Sequence, residues 1–138
     1  MGRVADRLHS AATYLLRRLR VEDEALGISA PRLSVLSVLV FGGPKRIGDL
    51  ARIEQVEPPT MTKLVDGLVR DGLALREADP DDARAVRVRA TPTGARTLRR
   101  GRAKRLETLR STLETLSSRD LARLRQGVDV LQRVLGER

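Results

Sequence analysis

The sequence predicts a mainly α fold with a single small β-hairpin, built as a compact central module with helical extensions on either side. Three observations lead there. Apolar residues recur at helical spacing along most of the chain, whereas alternation is confined to Ala85-Val86-Arg87-Val88-Arg89-Ala90. Aromatic content is 1%, supplied by Tyr14 and Phe41, so the core must be made of Leu, Val, Ile and Ala, which suits packed helices better than a sandwich. The 138 residues, 41% apolar, can bury one modest core, and a partner covering a second apolar face would stabilise both chains.

The first helix is expected over residues 4–24, where Val4, Leu8, Ala12, Leu15 and Leu19 recur at steps of three or four and Gly27 supplies a C-terminal stop. Ser29 caps a second helix that has Pro31 in its first turn. Leu33, Val35, Leu36, Leu39 and Val40 make that helix apolar around much of its circumference, as a central helix should be, and Phe41-Gly42-Gly43-Pro44 ends it. A short helix over residues 47–53 should turn Leu50, Ala51 and Ile53 inward. The turn Glu54-Gln55-Val56-Glu57 leads to Pro58-Pro59 and a longer helix, with Gly72 closing it. Two extended pieces follow, residues 73–77 and 85–90, with Val86 and Val88 on the covered side of the second. Between them, Asp79-Pro80-Asp81-Asp82-Ala83-Arg84 has the chemistry of a turn-rich tip.

Thr91 is placed to cap the last third, with Pro92 in the first turn. Leu98, Leu106, Leu109, Leu113 and Leu116 run along one side of a long helix, which Ser117-Ser118 breaks. Leu121, Leu124, Val128, Leu131 and Leu135 then form a short seam of coiled-coil type. Helix, helix and hairpin in this order make a winged helix-turn-helix module. The expected division is an N-terminal amphipathic helix at residues 1–29, the winged module at residues 30–91, and C-terminal helices with apolar seams at residues 92–138.

Composition narrows the function. Lys and Arg total 27 against 18 Asp and Glu, a formal charge of +9 that favours a polyanionic partner. With no cysteine, disulfides, thiol redox switching and thiolate-bound metals are excluded. His9 is the only histidine, and the chain shows no Gly-rich phosphate loop or carboxylate dyad, so neither an enzyme nor a metal or cofactor site is expected. The absence of a signal-like or membrane-spanning apolar run predicts a cytoplasmic protein without a membrane partner.

The chemistry concentrates in the longer helix and the hairpin. At about 100° per residue, Met61, Leu64, Val65 and Leu68 fall on one side, while Pro59, Thr62, Lys63, Asp66 and Arg70 fall on the other. An outward face that is short and polar near its N-terminus suits a major groove, where hydroxyls and a cation reach phosphates and base edges. Backbone N–H groups at the helix start add a partial positive charge, and Thr60 is placed there to donate to a phosphate. Arg84, flanked by Ala, is the extended cation a wing needs to enter a minor groove; Asp79, Asp81 or Asp82 could instead hold it in a salt bridge. Arg87 and Arg89, on the outer side of the return strand, could meet flanking phosphates. The cluster Arg96, Arg99, Arg100, Arg102, Lys104 and Arg105 surrounds its helix and reads as solvated surface.

Residues 48–94, GDLARIEQVEPPTMTKLVDGLVRDGLALREADPDDARAVRVRATPTG, resemble the core of MarR-type bacterial transcriptional regulators. The specific part is the wing, Asp79-Pro80-Asp81-Asp82-Ala83-Arg84 with Val86 and Val88, followed by Thr91-Pro92-Thr93-Gly94. The resemblance implies a homodimer interlocked through its terminal helices. It also implies a recognition helix starting at Pro59, Thr60, Thr62 and Lys63, and a wing arginine at Arg84. The expected function is a repressor that binds double-stranded DNA at a pseudo-palindromic operator; the alternative is a winged module used for protein contacts. It further implies a small aromatic or phenolic effector, for which His9, Tyr14, Arg17 and Phe41 are the candidate contacts. Two departures stand out: the tip carries one Arg fewer than many members, and Gly67 interrupts the recognition helix at a cost of about 1 kcal/mol relative to Ala. Close approach to DNA and simple tolerance are both open readings of Gly67.

Overall fold

The computed structural model describes residues 1–136. Its elements are α1 (Gly2–Glu24), α2 (Ala30–Gly42), β1 (Lys45–Arg46), α3 (Ile47–Glu54), α4 (Pro58–Arg70), β2 (Ala74–Asp79), β3 (Asp82–Ala90), α5 (Pro92–Leu113) and α6 (Ser118–Leu135). The chain forms two compact units, one spanning Met1–Lys104 and the other beginning at Arg105.

The core of the first unit gathers around α2, whose Leu33, Val35, Leu36 and Leu39 are buried. Leu50 and Ala51 of α3, Met61, Val65 and Leu68 of α4, Val88 of β3 and Leu98 of α5 join it, together with Ile28, Leu73 and Ala74. As expected from the spacing, α4 buries one side and leaves Pro59, Thr60, Thr62, Lys63, Asp66 and Arg70 exposed. Ile53 departs from expectation, being 50% exposed. On the helical wheel Ile47, Leu50, Ala51 and Glu54 centre the inward face and leave Ile53 on its flank.

The hairpin is part of a three-stranded antiparallel sheet of order β1-β3-β2. The added strand is Lys45–Arg46, paired with Val88 and Arg87; two residues are too few to carry a period-two signal. Both hairpin strands run further than expected, so that Asp79 pairs with Asp82 and only Pro80 and Asp81 lie between them. Val88 is fully buried, but Val86, two residues nearer the hairpin tip and outside the core cluster, is 50% exposed.

The junction between hairpin and α5 explains the Thr-Pro-Thr-Gly run. The Thr91 hydroxyl donates to the Gly72 carbonyl (2.7 Å) and accepts from the Gly94 N–H (3.0 Å), while the Thr91 N–H donates to the Leu73 carbonyl (3.0 Å). One threonine thus caps α5 and ties it to the turn that ends α4. Gly72 makes that turn with φ 71°, which lets the Leu73 N–H reach back to the Leu68 carbonyl (2.9 Å). Gly94 sits where a Cβ would lie 2.1 Å from the Leu73 carbonyl oxygen, so α5 begins in direct contact with backbone.

In α1 no residue is buried, and Val4, Leu8, Leu15, Leu16 and Val21 of its apolar side are exposed. The second unit contains the end of α5 and all of α6, whose N-cap Ser117 accepts from the Asp120 N–H (3.1 Å). α5 stops at Leu113, somewhat before the expected Ser117-Ser118 break. Leu121, Leu124, Val128 and Leu135 of the α6 seam are exposed, and Leu131 is half-buried.

Candidate nucleic-acid interface

α3 and α4 are joined by a tight turn in which Gln55 adopts a left-handed conformation (φ 55°) and the Val56 N–H bonds the Ala51 carbonyl (3.0 Å). This short connection fixes the entry to α4. The helix starts at Pro58, one residue before the expected Pro59, with Glu57 as an N-cap that makes no side-chain capping bond. Prolines at the first two positions have no N–H, and the Met61 N–H is taken by the Glu57 carbonyl (3.1 Å). Among the described residues of this first turn, the Thr60 N–H is therefore the single amide left unbonded at the positive end of the helix. The sequence suggested several such amides; the prolines reduce them to one. Thr62 donates its hydroxyl to the Pro58 carbonyl (3.1 Å), so its one O–H is engaged within the helix and its oxygen is left as an acceptor. Lys63 is exposed beside it.

The wing carries a second cation outward. The Arg84 side chain is 94% exposed, and Asp82 steadies its base by accepting from its N–H (3.1 Å) and its Nε (3.3 Å). Arg84 is thus both salt-bridged and presented. Arg87 differs: its Nε donates to Glu77 Oε1 (2.6 Å), and Arg89 Nε lies 3.2 Å from Glu77 Oε2. One carboxylate is shared by both guanidiniums on this face of the sheet.

Asp79 was read from sequence only as a possible holder of Arg84, whereas its partner is Arg46 of β1, with Nε donating to Oδ2 at 2.6 Å. Its other oxygen accepts from the Asp81 N–H (2.9 Å), which folds the two-residue turn. Nothing in the local sequence links positions 46 and 79; the short β1 strand brings them together. The Arg46 guanidinium, and after it the Asp81 N–H, hold the Asp79 carboxyl below the usual Asp range, and Asp79 in turn raises Arg46. A depressed Asp stabilises the fold fully above its ordinary pKa of about 3.9 and ceases to do so as pH falls through the lowered value. Melting temperature is therefore expected to show no pH dependence from this pair between about pH 7 and 5, and an acid-side decline below about pH 4. Asp79→Asn should melt lower at neutral pH and show a smaller acid decline; an equal decline in that variant would rule the pair out as its cause.

The remaining candidates are spread over other elements. His9, Tyr14 and Arg17 lie on α1 and Phe41 near the end of α2, all exposed in the single chain. Two surface hollows are lined by other residues, one by Lys45, Asp49, Arg52 and Ile53, the other by Gln126, Asp129, Val130, Gln132 and Arg133 of α6. Among the described residues no group of three or more His, Cys, Asp or Glu could hold a metal ion, and no helix is long and apolar enough to cross a membrane.

A polar helix face entered through a tight helix-helix turn, beside a hairpin with an outstretched arginine, defines a winged helix-turn-helix module. Residues 28–86 match the model of the MarR family. An HTH-type transcriptional regulator of Mycobacterium leprae is 34% identical over 136 residues, covering 99% of this chain and 95% of that one. The structure of a MarR family protein from Bacillus stearothermophilus superposes with a TM-score of 0.81 at 25% identity, over 98% of this chain and 94% of that one. A point mutant of Staphylococcus aureus MepR, solved bound to an oligodeoxyribonucleotide, shares the fold with a TM-score of 0.76 at 18% identity, over 96% of this chain and 97% of that one. The chain belongs to the MarR family of transcriptional regulators.

Proposed function

We propose that this chain is a sequence-specific DNA-binding repressor that acts as a homodimer on a pseudo-palindromic operator. The observation that carries this reading is the shared exposure of the α4 N-terminal face and the wing: Thr60 with its free N–H, Thr62, Lys63 and Pro59 on one, Arg84 on the other. Such a pair matches a helix laid in a major groove with a wing in the neighbouring minor groove. The oligonucleotide bound to the MepR mutant, a protein of the same fold, supports it. Arg87 is assigned to a flanking phosphate, which would share it with Glu77.

The dimer reading rests on α1 and α6. Val4, Leu8, Leu15 and Val21 on one and Leu121, Leu124, Val128 and Leu135 on the other are apolar, regularly spaced and exposed in the single chain. Rows of this kind mark surfaces completed by another molecule. Residues 1–29 and 92–138 are accordingly assigned to dimerisation and residues 30–91 to DNA. By family resemblance a small aromatic or phenolic effector is assigned to the same assembly, with His9, Tyr14, Arg17 and Phe41, all exposed in the single chain, as its candidate contacts.

Duplex binding across a salt series tests the reading. The wild-type protein is expected to bind mixed-sequence duplex at low salt and to bind more tightly a duplex enriched from a random pool. Log K should fall linearly with log salt as counterions are released. Sedimentation should give twice the chain mass. No detectable binding to mixed-sequence duplex at low salt would favour a winged module used for protein contacts.

A further inference from the structure

The C-terminal half of α4 is held from two sides by guanidinium groups. Arg76 of β2 donates from Nη2 to Asp66 Oδ1, and Arg32 of α2 donates from Nη1 to Asp71 Oδ2 (3.2 Å). Arg32 does more than form an ion pair. A Cβ built on Gly67 would lie 2.5 Å from its Cζ, 2.6 Å from Nε and 2.7 Å from Nη2. Three distances so nearly equal mean that the guanidinium presents its planar face to the bare backbone. The Arg32 side chain is only 27% exposed, and the group that approaches position 67 comes from within the protein, so a Cβ there would push the guanidinium off its seat. The start of this arm is itself fixed, because the Arg32 N–H donates to the capping Ser29 hydroxyl (3.5 Å).

We propose that Arg32 is a positioning residue for DNA recognition: seated on Gly67 and paired with Asp71, it sets the tilt at which α4 presents Pro59, Thr60, Thr62 and Lys63. The proposal rests on the reading of α4 as the DNA-contacting helix. The clasp grips residues 67–71, and Thr60 lies about 13 Å away along the axis at about 1.5 Å per residue. A change of tilt by roughly 10° would displace Thr60 by about 2 Å, beyond what a hydrogen bond tolerates. Arg32 acts on the lever's far end without touching nucleic acid. A lysine could supply the charge but not the planar face that covers glycine.

Arg32→Ala and the double variant Arg32→Ala/Gly67→Ala test the proposal. In the double variant the new methyl group occupies space the guanidinium has vacated and restores a good helix former, so it keeps the fold while lacking the clasp. The probe is a duplex enriched by the wild-type protein from a random pool, with mixed-sequence duplex as reference. Both variants are expected to bind the enriched duplex about 10-fold more weakly, with mixed-sequence binding within about twofold of wild type. The slope of log K against log salt should be unchanged, because no phosphate contact is lost. Wild-type affinity in the double variant would overturn the proposal, as would a slope shallower by about one, which would make Arg32 a phosphate contact. A wild-type protein that enriches no duplex would instead overturn the DNA-binding reading, and the role of the clasp with it.

Discussion

Gly94→Ala is expected to lower the stability of the protein by about 3 kcal/mol, the upper part of the range for overpacking, and to shift the urea midpoint accordingly. In an ordinary helix this substitution is favourable, since alanine is the better helix former by about 1 kcal/mol. Here a Cβ would stand 2.1 Å from the Leu73 carbonyl oxygen, 3.0 Å from the Leu73 carbonyl carbon and 3.1 Å from a Leu36 methyl group. The first two are backbone and cannot rotate away. Relief would require α5 to withdraw from the turn that Thr91 ties to Gly72, weakening both Thr91 hydroxyl bonds. Gly48→Ala is the matched control: it also lies inside a helix, nothing is within 4 Å of its Cβ position, and it should be neutral or stabilising by up to about 1 kcal/mol. Equal midpoints for the two variants would remove the close contact as the reason for glycine at 94.

Lys63→Ala combined with Arg84→Ala is expected to weaken operator binding by on the order of 100-fold at moderate salt. The two side chains stand on different elements, and each belongs to a different groove in the proposed complex. Each lost phosphate contact should flatten the log K against log salt plot by about 0.9; loss of both from both subunits would flatten it by roughly three to four. Stability should hardly move, because Lys63 is exposed and the Arg84–Asp82 pair is a surface pair worth under about 1 kcal/mol. Melting temperature therefore separates loss of contact from loss of fold. Full affinity in the double variant would exclude both proposed contacts.

These expectations differ in how far they could be reached from sequence. The exposed face of α4 and the wing arginine were legible there, because helical and strand periodicities and turn chemistry act over neighbouring residues. Thr91 as a cap was legible for the same reason. The Arg46–Asp79 pair, the Arg32 clasp and the contact of Gly94 with Leu73 were not. Each joins residues far apart in the chain, and no local pattern encodes their meeting. Ile53 and Val86 show the same limit from the other side: both are apolar and sit in the right element, but packing ends before it reaches them.

Residue type and spacing were enough to specify a helical chain with one hairpin, the buried side of α4, the capped start of α5, and cations set for a polyanion. These are properties of neighbours in the chain, and they hold whatever lies across the core. Packing between elements settled what lies against Gly67, which cation the Asp79 carboxylate of the wing turn holds, and why position 94 admits no Cβ. All three depend on what a second element brings to within a few ångströms, which no spacing along the chain encodes.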